Sequence, residues 1–212
     1  MTVPAGFFAR HTRLVRTPLV PEVALHLADD VAALWQAMED DEGTPGAGDA
    51  SPFWAAAWVG GQGLARYVLD TPDLVAGRTV LDLGAGSGLV AVAASLAGAE
   101  RVLASDVDPY ALAVIPLNAA ANGARGIEPV GDVLDADLPE VEVVLAGDVF
   151  YDLRMADRVR PWLFTAWVRG AVVLVGDPGR SQLPEGLREV AGYQVPDSGV
   201  DVARRTTVWR LP

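Results

Sequence analysis

Along this 212-residue chain the spacing of apolar positions changes period several times. Val23, Leu25 and Leu27 alternate with Glu22, Ala24 and His26, the two-residue period of a short strand, with a helix as the alternative. Asp29 or Asp30 then suits a helix cap, and Val31, Leu34, Trp35 and Met38 recur at helical spacing on one face. Ser51-Pro52 opens a second helix, Ser as cap and Pro in the first turn, with Trp54 and Trp58 one turn apart. Gly60-Gly61 interrupts it before a helix over Gln62–Leu69, which Thr71-Pro72 stops. From residue 79 onward apolar runs alternate with helical stretches: strands 79–83, 101–105, near 127–130, 141–147 and 171–175, and helices 88–97, 109–121 and 154–168. Such alternation predicts a doubly wound parallel sheet. Leu187–Gln194 and Arg205–Leu211 alternate as a closing antiparallel pair. No internal repeat or linker divides the chain, so residues 1–50 are read as an extension and loop on one domain spanning 51–212.

Composition narrows the chemistry. With no cysteine, disulfides, thiolate zinc sites and a cysteine nucleophile are excluded, and two histidines make a metal centre improbable, so none is expected. Sixteen arginines and no lysine face 28 acids, a net charge of −12. That surface disfavours nucleic acid and favours a basic protein partner. The missing lysine fits a GC-rich genome, or avoidance of self-modification by a lysine-modifying enzyme. No apolar run reaches the ~20 residues of a membrane span, so a protein outside the membrane is expected. Residues 1–20 carry Arg10, Arg13 and Arg16 without an acid, an ordered basic arm rather than a transit peptide. Glu39–Ala50 is an acidic loop, either a solvated linker or a flap over a basic partner.

The stretch Asp82-Leu-Gly84-Ala85-Gly86-Ser-Gly88, between the first long strand and an apolar helix, carries the densest chemistry. Glycines let a ligand approach the backbone, and the helix N-terminus offers free N–H groups. A dinucleotide turn would need glycine at 89, where leucine stands. The D-x-G-x-G-x-G spacing instead resembles motif I of class I S-adenosylmethionine methyltransferases. Asp106, about 20 residues on at the end of the second strand and followed by Val107, suits the ribose hydroxyls. Asp132, followed by Val133, ends the third strand, either as a surface acid or as the acceptor for an adenine amino group. The fourth strand ends in Gly147-Asp148-Val149-Phe150-Tyr151-Asp152, beside the expected methyl group. An acid and two aromatics there suit an aliphatic amine, the carboxylate orienting it and ring faces attracting a partial ammonium. Asp152 lies on the substrate side. Asp177 and Arg180 form an ordinary turn or line that same side. Trp54 and Trp58 are core residues or a wall of the cofactor cleft.

Pro21-Glu22, Leu34-Trp35, Pro52-Phe53-Trp54 with Trp58-x-Gly60-Gly61, Leu64-Ala65-Arg66-Tyr67, motif I, Asp148-x-Phe150-Tyr151, Gly176-Asp177-Pro178-Gly179-Arg180 and Val208-Trp209-Arg210-Leu211 together resemble one family. It is the seven-strand protein-lysine methyltransferases acting on the electron transfer flavoprotein β subunit. The resemblance implies a Rossmann-like seven-stranded sheet, the last strand pair antiparallel, with a short N-terminal strand–helix extension. It also implies S-adenosylmethionine as cofactor, S-adenosylhomocysteine as product, and a cytoplasmic monomer acting on a lysine-bearing protein. Asp148, Phe150 and Tyr151 fall on the family's acid and aromatics, and Trp54 and Trp58 on its tryptophans. The acidic insertion Glu39–Ala50, and the lack of proline after Trp58, depart from the pattern. Small-molecule, ribosomal-protein or histidine methylation on the same fold are the alternatives.

Overall fold

The computed structural model describes residues 3, 6–40, 51–196 and 203–212. A short helix α1 (Phe7–His11) precedes an antiparallel hairpin of β1 (Arg13–Arg16) and β2 (Ala24–Leu27), and then helix α2 (Val31–Asp40). Helix α3 (Val59–Asp70) leads into the central alternation: β3 (Thr79–Leu83), α4 (Leu89–Leu96), β4 (Arg101–Ser105), α5 (Pro109–Ala121) and β5 (Ile127–Val130). It continues through β6 (Val143–Gly147), α6 (Leu153–Val168), β7 (Val172–Asp177), β8 (Arg188–Val195) and β9 (Arg204–Arg210).

The seven strands lie in the order β5-β4-β3-β6-β7-β9-β8, the first five parallel and β9 antiparallel to both neighbours. Helices cover both faces, so β3, β4 and β6 are buried at nearly every position rather than at alternate ones. One core layer joins α3 and α4 to the sheet, and the other joins α6 to its opposite face. The sheet reverses direction of build between β3 and β6, and ligands of such sheets bind at that switch point, outside the carboxyl ends.

Several sequence expectations need correction. Ser51-Pro52 starts no α-helix: a single 3₁₀ turn spans Phe53–Ala55, and Ala56 is already extended. Trp54 and Trp58 therefore share no helical face. Gly60-Gly61 does not break a helix either; both sit in the first turn of α3, where Gly60 packs so closely on the sheet that a Cβ there would lie 2.3 Å from the Gly176 carbonyl oxygen. The basic arm contains β1, exposed along its whole length. Glu39 and Asp40 close α2, and the remainder of the acidic loop, residues 41–50, lies outside the described residues.

The N-terminal extension is fastened by polar contacts as well as by the aromatic cluster of Phe7, Phe8, Trp54 and Tyr110. Just past α5, the C-cap residue Asn122 accepts from the Ala24 N–H at 2.8 Å and returns a bond to its carbonyl at 2.6 Å. Fully buried Asn118 accepts from the His26 N–H at 2.7 Å and donates to the Ser87 carbonyl at 2.7 Å. The hairpin and the glycine turn thus share one side chain. No helix among the described residues is long and apolar enough to cross a membrane.

Candidate active site

Three glycines of the turn after β3 adopt left-handed backbone angles, Gly84 at φ 67°, Gly86 at 51° and Gly88 at 78°. Gly88 caps α4, and Asp82 accepts from the Ala91 N–H in its first turn at 2.9 Å. The Asp82 side chain is thus a strut between β3 and α4, wholly buried. Asp106 folds back on the turn: one oxygen accepts from the Gly86 N–H at 2.7 Å, the other from Asp108 N–H at 2.9 Å. Asp108 caps α5 by accepting from the Tyr110 N–H at 2.8 Å. Val107 stands exposed between them.

Burial pushes all three of these carboxyls up, Asp82 to about 7 and Asp108 to about 6, and Asp106 in the same direction. For Asp82 the sign is clear. The folded state keeps the proton up to about pH 7, whereas the unfolded aspartate loses it from 3.8 upward. Rising pH therefore favours unfolding across that window, and the effect is complete above it. Asp82→Asn should abolish this component: wild-type Tm minus variant Tm, from thermal scans, should fall between pH 4 and 7 and then level off.

Asp132 accepts from the Leu134 N–H at 2.9 Å and from Arg158 at 2.6 Å, while Arg158 also reaches Asp135 at 2.9 Å. Burial is the largest single influence and works against its charge, but the Arg158 ion pair and the Leu134 N–H together outweigh it and hold the carboxyl below the usual range. Val133 packs against the α6 core layer, and its carbonyl accepts from the Trp162 indole.

At the end of β6, Asp148 has φ 59° and is the one non-glycine with a left-handed backbone among the described residues. It is buried, with Oδ2 accepting from the Gly61 N–H at 2.6 Å and Oδ1 from Arg180 at 2.8 Å. The same Arg180 nitrogen reaches Asp177 at 2.9 Å, and Asp177 also accepts from the Gly179 and Arg180 N–H groups at 2.7 Å. Burial raises the Asp148 carboxyl even against Arg180. Asp177 is fully buried, so it lines no surface; it fixes the turn that aims Arg180. Asp152 caps α6 through the Met155 N–H at 2.8 Å.

The aromatics are distributed differently from the sequence expectation. Phe150 is fully enclosed in the α6-side core and presents no ring face to an amine. Trp54 is likewise enclosed, parallel to Tyr110 at 6.1 Å and edge-on to Phe8 at 5.4 Å, a core residue with no open face. Its Cα lies 3.7 Å from where a Gly86 Cβ would be. Tyr151 and Trp58 are the open ones, and both touch Phe53. Phe53, Asn118 and the Arg180 link to Asp148 escaped the sequence reading; an aromatic beside two tryptophans was the only signal for any of them.

Among the described residues no cluster of three His, Asp or Glu side chains could hold a metal. A groove of about 650 Å³ between α6 and Leu183–Glu185 carries none of the strand-end carboxyls or glycines.

Strand order, glycine turn and the acids at successive strand ends together define a class I methyltransferase. Residues 66–149 match the ribosomal protein L11 methyltransferase (PrmA) family. The solved ribosomal protein L11 methylase of Lactobacillus delbrueckii subsp. bulgaricus shares the fold at TM-score 0.50 and 24% identity, over 70% of this chain and 77% of that one. TrmN from Thermus thermophilus does so at 0.52 and 25%, over 70% and 48%. Curated relatives are more specific. The electron transfer flavoprotein beta subunit lysine methyltransferase of Danio rerio is 38% identical over 201 residues, 91% of this chain and 76% of that protein. Its Homo sapiens counterpart is 38% identical over 187 residues, 85% and 70%. The chain belongs to the electron transfer flavoprotein beta subunit lysine methyltransferase family.

Proposed function

We propose that the enzyme transfers methyl groups from S-adenosylmethionine to lysine side chains of the electron transfer flavoprotein β subunit. The observation that carries this is the conjunction, at one edge of the sheet, of a glycine turn bound by Asp106 with a buried acid, Asp148, at the next strand end. The residues fit the cofactor: the turn, exposed at Gly84 and partly so at Gly86, carries no Cβ there to keep a ligand off the backbone, and the Asp106 carboxylate is fixed beside it by the Gly86 N–H. When bound, S-adenosylmethionine supplies an electrophilic methyl on a sulfonium.

Gly84, Ala85, Gly86 and Gly88 are assigned to the methionine end, Asp106 with Val107 to the ribose, Asp132 with Val133 to the adenine edge, and Gly147 to the floor beside the methyl group. Both Asp106 oxygens already accept N–H bonds, yet each carboxylate oxygen has a second lone pair for a hydroxyl. Asp148 keeps the corresponding lone pairs for the amine, held at the strand end by Gly61 and Arg180. The amine attacks as the neutral base, and a lysine entering a desolvated cleft gives up its proton more readily. Bringing the neutral amine into line with the methyl group would be the main task of the protein's own residues. A net charge of −12 suits a basic acceptor surface and repels nucleic acid.

The test is to incubate the enzyme with tritiated S-adenosylmethionine and the host's purified flavoprotein heterodimer, beside a host lysate. Label on lysines of the β subunit is expected. Label confined to small molecules, or to a ribosomal protein or a histidine, overturns the acceptor assignment, and no uptake of S-adenosylhomocysteine by calorimetry overturns the cofactor as well.

A further inference from the structure

Phe53, Trp58 and Tyr151 form a three-ring cluster on the surface. Ring centroids of Phe53 and Trp58 are 5.7 Å apart at 67°, and those of Phe53 and Tyr151 5.5 Å apart at 45°. Each residue is nearly half exposed, at 47%, 42% and 44% respectively, in a protein that hides Trp54 and Phe150 completely. The cluster is held rather than loose: the Trp58 indole donates to the Phe53 carbonyl at 2.8 Å.

Its location follows from backbone contacts. Phe53 precedes Trp54, whose Cα packs on the Gly86 position of the cofactor turn. Trp58 caps α3, three residues before the Gly61 N–H that binds Asp148. Tyr151 follows Asp148 by three residues, and its phenol, raised mainly by burial, also feels Asp152 and Asp106. The rings therefore stand between the glycine turn and the transfer-site acid, on the open side.

We propose that Phe53, Trp58 and Tyr151 together form the wall that grips the acceptor lysine's alkyl chain and ammonium, making the segment before α3 part of the acceptor site. This rests on the lysine methyltransferase reading and reassigns Trp58 from cofactor to acceptor. Ring faces suit the task because of what methylation does to the nitrogen. Each transfer breaks a sulfonium C–S bond, forms an N–C bond and releases one proton, so a hydrogen-bonding site loses one donor per round. The protonated product keeps its charge at every stage, and ring quadrupoles attract the charge irrespective of N–H count. The wall therefore retains a partly methylated lysine for further transfer.

Phe53→Leu and Trp58→Leu, with Trp58→Phe as the conservative variant, test this with the flavoprotein β subunit as acceptor. In the leucine variants the acceptor KM should rise about tenfold. Mass spectrometry should show product shifted toward monomethyl-lysine, and calorimetric affinity for S-adenosylhomocysteine should stay within about twofold. Trp58→Phe should restore most of the product distribution. Unchanged acceptor KM and product distribution in both leucine variants would overturn the proposal. So would a loss of S-adenosylhomocysteine affinity with acceptor dependence unaltered, which returns the rings to the cofactor. Failure of wild-type enzyme to label any lysine strikes the underlying reading instead, and is seen before any variant is made.

Discussion

Asp148→Asn should lower turnover about a hundredfold, the size of effect that misaligning reacting groups produces, while S-adenosylhomocysteine affinity changes little. Both groups that face the wild-type carboxylate are donors, the Gly61 N–H and the Arg180 guanidinium. An amide offers one oxygen and one NH₂, so whichever way it turns, one donor meets another donor. Arg180 also loses one of its two carboxylate partners and retains only Asp177. Asparagine is among the non-glycine residues that best tolerate a φ of 59°, so the backbone at the strand end survives and the readout isolates the carboxylate. Steady-state kcat at saturating cofactor, beside calorimetry with S-adenosylhomocysteine, separates the two roles. Parallel loss of both would make Asp148 a support of the cofactor pocket rather than the group that presents the amine.

The sheet and its cofactor edge were readable in the chain because their signals are local. Parallel strands covered on both faces read as mostly apolar runs, and β3, β4, β6 and β7 do, their polar residues lying mainly at the strand ends. The turn after β3 needs left-handed glycines at fixed spacing, which a few letters display. The missing parts depend on contacts between distant residues. Gly61 is 87 residues from Asp148, Arg180 is 32 from it, and Asn118 is 31 from Ser87. Nothing local distinguishes Phe150, which faces the core, from Tyr151, which faces out. The Ser-Pro start before Trp54 obeys every rule for a helix, yet tertiary packing of Trp54 against Phe8 and Tyr110 stops it after one 3₁₀ turn. β1 has no alternating burial to display, being an exposed edge held by its partner strand.

Gly60→Ala should destabilise the enzyme by about 3 kcal/mol, at the upper end of the usual overpacking cost. In an ordinary helix the same change is stabilising by up to ~1 kcal/mol, because alanine has the higher helix propensity. Here the new Cβ would lie 2.3 Å from the Gly176 carbonyl oxygen and 2.6 Å from Asp148 Oδ2. The first of these is backbone of a strand paired on both sides, so it cannot swing aside. Neighbouring positions leave no slack: a Cβ on Gly147 would meet Gly61 Cα at 2.9 Å, and one on Gly63 would meet Thr206 Cγ2 at 2.5 Å. The start of α3 must therefore lift off β6 and β7, carrying away the Gly61 N–H that binds Asp148 and tilting Trp58 with it. For a chain of this length the expected fall in Tm is about 10 °C. Activity of the remaining folded fraction should fall as well, because the seam that sets packing also sets the position of the acid. Gly131→Ala is the control, since nothing lies within 4 Å of its would-be Cβ, and its Tm should match wild type. A Gly60→Ala enzyme melting with the control would mean that the close seam between α3 and the sheet is not what holds this edge together.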